Sequence, residues 1–244
     1  MRTALVRRAV LTASALSFSL LATACGPSGD ADGAAGSKPS AAAPSPSPTP
    51  EAKALGAAEL EKLTLADGDV PGVKTEKAGA DDVARTAEVT TDKAACQPIA
   101  QAGGLAPVGK AVTTTERIAA TVPADEAGLK SMSVTSVQLA SYDGKGAEEA
   151  LASLKAAGEA CADGFVTTVK GEKTRIKAVA PAPVTAGDDA AGWAITGEDE
   201  GEDLHSRMVA FRKGNNLVVI HTFRFDTKPD VPQAFIDAQL KKLG

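Results

Sequence analysis

Residues 205–225 constrain the fold more than any other stretch of this chain. His205–Lys213 and Asn216–Phe225 are two extended, apolar-rich segments separated by Gly214-Asn215, a pair that suits a two-residue hairpin turn. Such a turn fixes the register. Phe211 then faces Val218 and Val209 faces Ile220, while on the other side Ala210 meets Val219 and Met208 meets His221. A hairpin with one wet face would alternate apolar and polar residues. Here both faces are apolar at the centre, so both sides of the sheet must be covered.

The flanking chain supplies the cover. Ala52–Leu65 reads as a helix with Leu55, Leu60, Leu63 and Leu65 near one side. Ala66-Asp67-Gly68-Asp69 breaks it, Val70-Pro71-Gly72 turns, and extended segments follow at Val73–Lys77 and Thr86–Thr90. A short helix follows, capped by Thr91-Asp92 or opened by Pro98, and ends at Gly103-Gly104. Thr113–Thr121 and Lys130–Tyr142 are strand-like. In the second, Met132 and Val134 have one parity and Val137 and Leu139 the other, which predicts a bulge near Thr135-Ser136. Gly144–Ala160 is the clearest helix, with Ala147, Leu151, Leu154, Gly158 and Cys161 on one stripe. Phe165–Lys170, Thr174–Ala180 and Ala190–Thr196 are further strands. Asp230 is placed to cap a last helix with Pro232 in its first turn and Lys241-Lys242 at its negative end. Hairpin-type connections dominate and no βαβ alternation occurs. The expectation is one α+β domain over residues 54–244, a mainly antiparallel sheet packed with three to four helices.

The start of the chain is of another kind. Arg2, Arg7 and Arg8 precede Ala9–Ala22, about fourteen residues without charge or proline. That run is short for a membrane span, which needs about 20 residues, and suits a signal peptide. Leu21-Ala22-Thr23-Ala24-Cys25 resembles the lipobox of bacterial lipoproteins. The resemblance implies a signal at 1–24, cleavage before Cys25, and a diacylglyceryl thioether on Cys25 that holds the protein to the outer face of the cell membrane; two acyl chains anchor stably where one does not. Residues 25–53 form an Ala/Pro/Ser-rich tether holding six of the fourteen prolines. Such a segment cannot bury enough apolar surface to order itself, and it would reach about 30–80 Å. The formal charge is −5 and becomes more negative when the signal arginines leave. With no basic stripe, nucleic acid is not an expected partner.

Three cysteines are present. With Cys25 lipidated, Cys96 and Cys161 make an even pair that suits a disulfide in an oxidising compartment. Two buried thiols are an alternative, and a metal site without histidines at ligand spacing is a poor one.

Taken in series, Leu63-Thr64-Leu65-Ala66-Asp67 before Val70-Pro71-Gly72, Cys96-Gln97-Pro98-Ile99, a helix ending in Cys161, Gly187-Asp188-Asp189-Ala190 before a strand, and Arg212-Lys213-Gly214-Asn215 before Leu217-Val218-Val219 are similar to the PknH-like extracellular sensor domains. Those occur on receptor kinases and as free lipoproteins of actinobacteria. The resemblance covers about residues 55–244. It implies an antiparallel sheet with helices, a disulfide between Cys96 and Cys161, and a ligand-binding cleft.

No catalytic set stands out. His221 lies on the apolar face of Leu217, Val219, Phe223 and Phe225, where a histidine is more often a core residue bonded to backbone than a site. His205 falls near the exposed end of the hairpin. No Gly-x-Ser-x-Gly elbow occurs. Glu198, Asp199, Glu200, Glu202 and Asp203 surround Gly201 without the spacing of an EF-hand loop, which fits a solvated acidic turn. Tyr142 and Trp193 are the only large amphipathic aromatics; they could line a groove with His221 or pack in the core. The expectation is a non-enzymatic, lipid-anchored module without cofactor or metal that binds a small molecule or protein. A carrier shielding a lipid in a large hollow, and an envelope hydrolase with two carboxylates about 5–10 Å apart, are the rivals.

Overall fold

In the computed structural model, described for residues 52–121, 132–199, 201–224 and 227–244, the central hairpin has the register its turn requires. Strand β8 (Glu202–Lys213) pairs with β9 (Asn216–Arg224) so that Met208 faces His221, Val209 faces Ile220, Ala210 faces Val219 and Phe211 faces Val218. Gly214 takes a positive φ of 60° as the first turn residue. Asp188 accepts hydrogen bonds from the Gly214 amide at 2.7 Å and from Arg212 Nη1 at 3.1 Å, which pins the turn. The signal at 1–24, Cys25, most of the 25–53 tether, and Phe225 lie outside the described residues.

The other strands are β1 (Lys74–Lys77), β2 (Val89–Thr91), β3 (Thr113–Ala120), β4 (Ser133–Ser141), β5 (Phe165–Val169), β6 (Glu172–Pro181) and β7 (Asp189–Asp199). With β8 and β9 they form one antiparallel sheet of nine strands, in the order β1-β3-β4-β9-β8-β7-β6-β5-β2. Helices α1 (Ala57–Leu63) and α4 (Gln233–Leu243) cover one face. There Leu60, Leu65 and Ile236 pack on Val137, Leu139, Val209, Phe211, Val218 and Ile220. Helices α2 (Gln97–Gly103) and α3 (Gly146–Ala160) cover the other, where Ile99, Leu151 and Leu154 pack on Ala140, Met208, Ala210, Leu217 and Val219. The fold is α+β.

Several local expectations need correction. The first helix begins at Ala57 rather than Ala52, because the amides before it have partners elsewhere: Ala54 donates to Asp143 Oδ1 and Leu55 to Ser141 Oγ, both at 2.9 Å. It ends at Leu63, where Thr64 turns extended and its hydroxyl donates back to the Leu60 carbonyl. The extended segment at 86–90 opens with a 3₁₀ turn, Thr86–Glu88. Strand β4 has no bulge at Thr135-Ser136; its register with β3 and β9 is unbroken. The change of apolar parity has a simpler cause, since Val137 and Leu139 enter one core while Ala140 enters the other. The register shift lies instead in β6, between Ile176 and Ala178. Asp230 does not cap α4, which starts after Pro232, two residues too far along.

Three devices tie the layers together. Cys96, just before α2, and Cys161, just after α3, are joined by a disulfide across 65 residues, and both are fully buried. Closing a loop of that size stabilises by about 4 kcal/mol through the unfolded state. Arg117, on β3, is buried beneath α1. Its Nη2 donates to Glu61 Oε1 at 2.6 Å and its Nε to the Leu65 carbonyl at 2.8 Å. Burial raises the Glu61 pKa, but hydrogen bonds from Thr115, Arg117 and Lys77 outweigh it and hold the carboxyl below its usual range. Finally, α3 approaches the sheet closely at Gly158, where the Trp193 indole fills the space a side chain would take.

Alanine normally favours a helix over glycine by about 1 kcal/mol. At Gly158 a Cβ would lie 2.0 Å from Trp193 Nε1 and 2.8 Å from Cε2. Overpacking of that kind costs about 1–3 kcal/mol. Gly158→Ala is therefore expected to destabilise the domain by up to about 2 kcal/mol in urea unfolding; a raised midpoint would show that the indole is free to move.

Candidate functional site

The helical cover over the α2 and α3 face is incomplete. Beyond the C-terminal end of α2 the sheet continues, and the uncovered part forms a cleft of about 190 Å³. Strand parity builds its floor. Phe165, Thr167 and Val169 of β5, Thr174 and Ile176 of β6, Ile195 and Gly197 of β7, Leu204, Ser206 and Met208 of β8, and His221 and Phe223 of β9 all point to this face. Ile99, Ala100, Gly103 and Gly104 of α2 form the wall. That wall sits tightly on the sheet edge: a Cβ at Gly104 would lie 3.3 Å from Val169 Cγ1 and 3.4 Å from Val89 Cγ2.

Among the described residues no charged side chain lines the cleft. Its polar centre is His221, whose Nε2 lies 2.9 Å from Ser206 Oγ and whose ring packs on Phe223 with centroids 4.1 Å apart. The imidazole is 5% exposed, and its Nδ1 is buried beside the Gly103 backbone. Burial pushes the His221 pKa down to about 4, and hydrogen bonding to the Gly103 backbone opposes the shift only in part. The ring is therefore neutral at physiological pH.

Ser206 and His221 have the spacing of a nucleophile and its base. The surroundings do not extend that chemistry. Ser206 lies in the middle of β8, paired with Ile195 on one side and Phe223 on the other, so the local amides belong to the ladders and offer no oxyanion hole. The helix end facing the cleft is the C-terminus of α2, where carbonyls and negative dipole would oppose an oxyanion. The arrangement suits binding of an uncharged group.

Of the residues singled out in the sequence, His221 alone reaches this cleft. Tyr142 is fully buried, donates its hydroxyl to the Val108 carbonyl at 2.8 Å, and has its phenol pKa pushed up by burial. Trp193 is buried beneath α3. Both occupy the core, because an amphipathic aromatic with its polar atom near backbone packs well inside a sheet covered by helices. His205 is half-buried, with Nδ1 3.4 Å from Thr196 Oγ1. In the acidic turn, Lys177 Nζ reaches Asp203 at 2.8 Å and Glu198 at 3.5 Å. Among the described residues no three His, Cys, Asp or Glu gather closely enough to hold a metal. A larger surface depression of about 920 Å³ borders Asp81, Arg85, Glu88 and Lys170. Three of its four charged side chains are engaged: Arg85 pairs with Glu88, and Lys170 donates to the Ala80 and Asp81 carbonyls.

Ser206 was missed in the sequence, although the hairpin register carried the signal. It shares parity with Met208, faces Phe223, and stands diagonally across from His221. The placement of the α2 end over these residues had no local signature.

The architecture, one antiparallel sheet with helices on both faces and a cleft past the end of α2, places the chain among α+β domains. Within that class it is similar in fold to the extracellular domain of PknH from Mycobacterium tuberculosis. The TM-score is 0.52 at 14% sequence identity, over 78% of this chain and 96% of that one. No family model matches the chain, and no curated protein matches it in sequence.

Protonation of His221 is thermodynamically linked to unfolding. The unfolded state takes up the proton near pH 6.5 and the folded state only near 4, so stability is complete above 6.5 and falls as pH drops between these values. The loss amounts to roughly 3 kcal/mol. Urea unfolding of the native chain should show this decline, and His221→Gln should flatten it; equal slopes for the two proteins between pH 6.5 and 4 would refute the assignment.

Proposed function

We propose that this protein is a lipid-anchored extracytoplasmic lipoprotein whose domain is a non-enzymatic, sensor-like binding module. The observation that carries the binding role is the uncharged cleft with His221 at its centre. Support for the compartment comes from the Leu21–Cys25 pattern, the tether composition and the buried Cys96–Cys161 disulfide, a bond that persists in oxidising spaces. The fold likeness to an extracellular domain points the same way. No helix among the described residues is long and apolar enough to cross a membrane, so attachment through Cys25 is the route this reading requires.

A lipid carrier fits less well. The apolar cleft is about 190 Å³ and the rest of that face is packed core. A glycoside hydrolase also fits less well, because no carboxylate among the described residues lines the cleft.

Two outcomes test the proposal. Cys25→Ser should move the protein from the detergent phase to the aqueous phase in phase partitioning; unchanged partition would refute lipid attachment. Small-molecule extracts of the producing cells should contain a fraction that raises the unfolding temperature, because a ligand bound only to the folded state stabilises it. Ser206→Phe, which fills the cleft, should abolish that rise. A rise that survives the substitution would move binding elsewhere on the domain.

A further inference from the structure

Resting on that binding role, we infer that the cleft takes a flat hydrocarbon ring, seated on the Gly197 backbone between Ile176 and Leu204, with no hydrogen-bonding atom in the part that enters.

The seat follows from a glycine that the packing does not require. Glycine inside a strand weakens it, and marks a bulge, a bend or a close approach by another group. Strand β7 holds two. At Gly192 a Cβ would run into the Ala182 carbonyl, so packing demands glycine there. Gly197 is different. The atoms nearest to a Cβ there are the Arg175 carbonyl oxygen at 3.6 Å, Ile176 Cδ1 at 3.7 Å and the Leu204 carbonyl oxygen at 3.8 Å, all ordinary contacts. Its φ is not in the left-handed region. The nearby register shift adds its extra residue, Lys177, to β6 and not to β7. The missing side chain therefore leaves open floor. Ile176 and Leu204 are the cross-strand partners of Gly197 on its two sides. Their backbones stand roughly 10 Å apart across β7, so the two side chains wall a slot whose base is bare peptide.

The lining sets the chemistry of the guest. Among the described residues every lining side chain is neutral, so a charged group would leave water with no opposite charge to meet it. The buried polar side chains are already committed. Ser206 Oγ lies 2.9 Å from His221 Nε2, the other side of that ring rests on the Gly103 backbone, and the Thr167 hydroxyl donates to the Thr90 carbonyl at 3.4 Å. A polar atom carried into the slot would lose its water without gaining a partner. Phe165 and Met208, both buried in the lining, favour an aromatic guest through ring and thioether contacts. The volume limits the size. An apolar cavity of about 150 Å³ holds benzene, so about 190 Å³ takes one ring with a small apolar substituent.

The test uses the full chain carrying Cys25→Ser, so that no detergent takes up the probes, and two rings of one shape. These are benzene, and pyrazine, whose nitrogens at opposite ends cannot both point out of the slot. Binding is followed by the amide shifts of Gly197 and Leu204. Benzene is expected to shift both and to bind about tenfold tighter than pyrazine, the loss from an unmatched buried acceptor. Gly197→Val is expected to abolish benzene binding, read on Leu204, and to raise the urea midpoint, because a β-branched residue favours a strand where it meets no clash. Pyrazine binding as tightly as benzene would overturn the apolar selection while leaving the cleft a binding site. A Gly197→Val chain that still binds benzene, or that unfolds at lower urea or fails to fold, would overturn the seat and return the glycine to the bulge opposite. If benzene at its solubility limit shifts neither amide, the binding role of the cleft falls as well. The ratio of the two rings, measured with Gly197 intact, decides the selection whatever the variant does.

Discussion

The structure depends on a hairpin that is apolar on both faces. Val209, Phe211, Val218 and Ile220 project to one side of β8 and β9, and Met208, Ala210, Leu217 and Val219 to the other. Neither side can face water without exposing several large residues. The chain must therefore bring two independent sets of helices to one sheet, and the order of elements follows from that need. The N-terminal and C-terminal helices close one face, and the two internal helices, joined by the disulfide, close the other. Each core is thin, since only Phe211, Tyr142, Trp193 and Phe165 among the buried residues bring large rings. Small residues such as Ala147, Ala150, Ala157 and Gly158 let α3 lie close to the strands in compensation.

The cleft is a by-product of the same geometry. α2 is seven residues long, while the strands beneath it run to eleven and twelve. A short helix cannot cover long strands, and what it leaves open is the part of the sheet face that holds His221 and Ser206. A histidine placed there is poised between core and site. It is buried enough to lose its charge, and its ring is held between Ser206 and the Gly103 backbone.

Much of this was legible in the residues. The two-faced apolar pattern around Gly214-Asn215 carried the sheet and its central register, and the stripe ending at Cys161 carried α3. The limits were equally physical. At Ala52–Gly56 helix propensity was overruled by hydrogen bonds to Ser141 and Asp143, nearly ninety positions away. In β4 the parity argument assumed one buried face where there are two. For the site, His221 was visible as an odd residue on an apolar strand. Tyr142 and Trp193 were drawn toward it by residue type alone, and only the packing of α3 separates them from it. The cleft itself depends on where α2 stops relative to distant strands, which no local pattern encodes.

The chain enters the domain at a defined place. The Ala52 carbonyl accepts from the Gly144 amide at 2.7 Å, and the Lys53 carbonyl accepts from Asn215 Nδ2 at 2.6 Å. The incoming chain is thus fastened to the β8–β9 turn. Leu204 and Phe223 lie at the opposite ends of those strands, roughly 25 Å away at the rise of an extended backbone. The domain therefore receives its chain at one end of the β8–β9 pair, and the apolar mouth lies at the other.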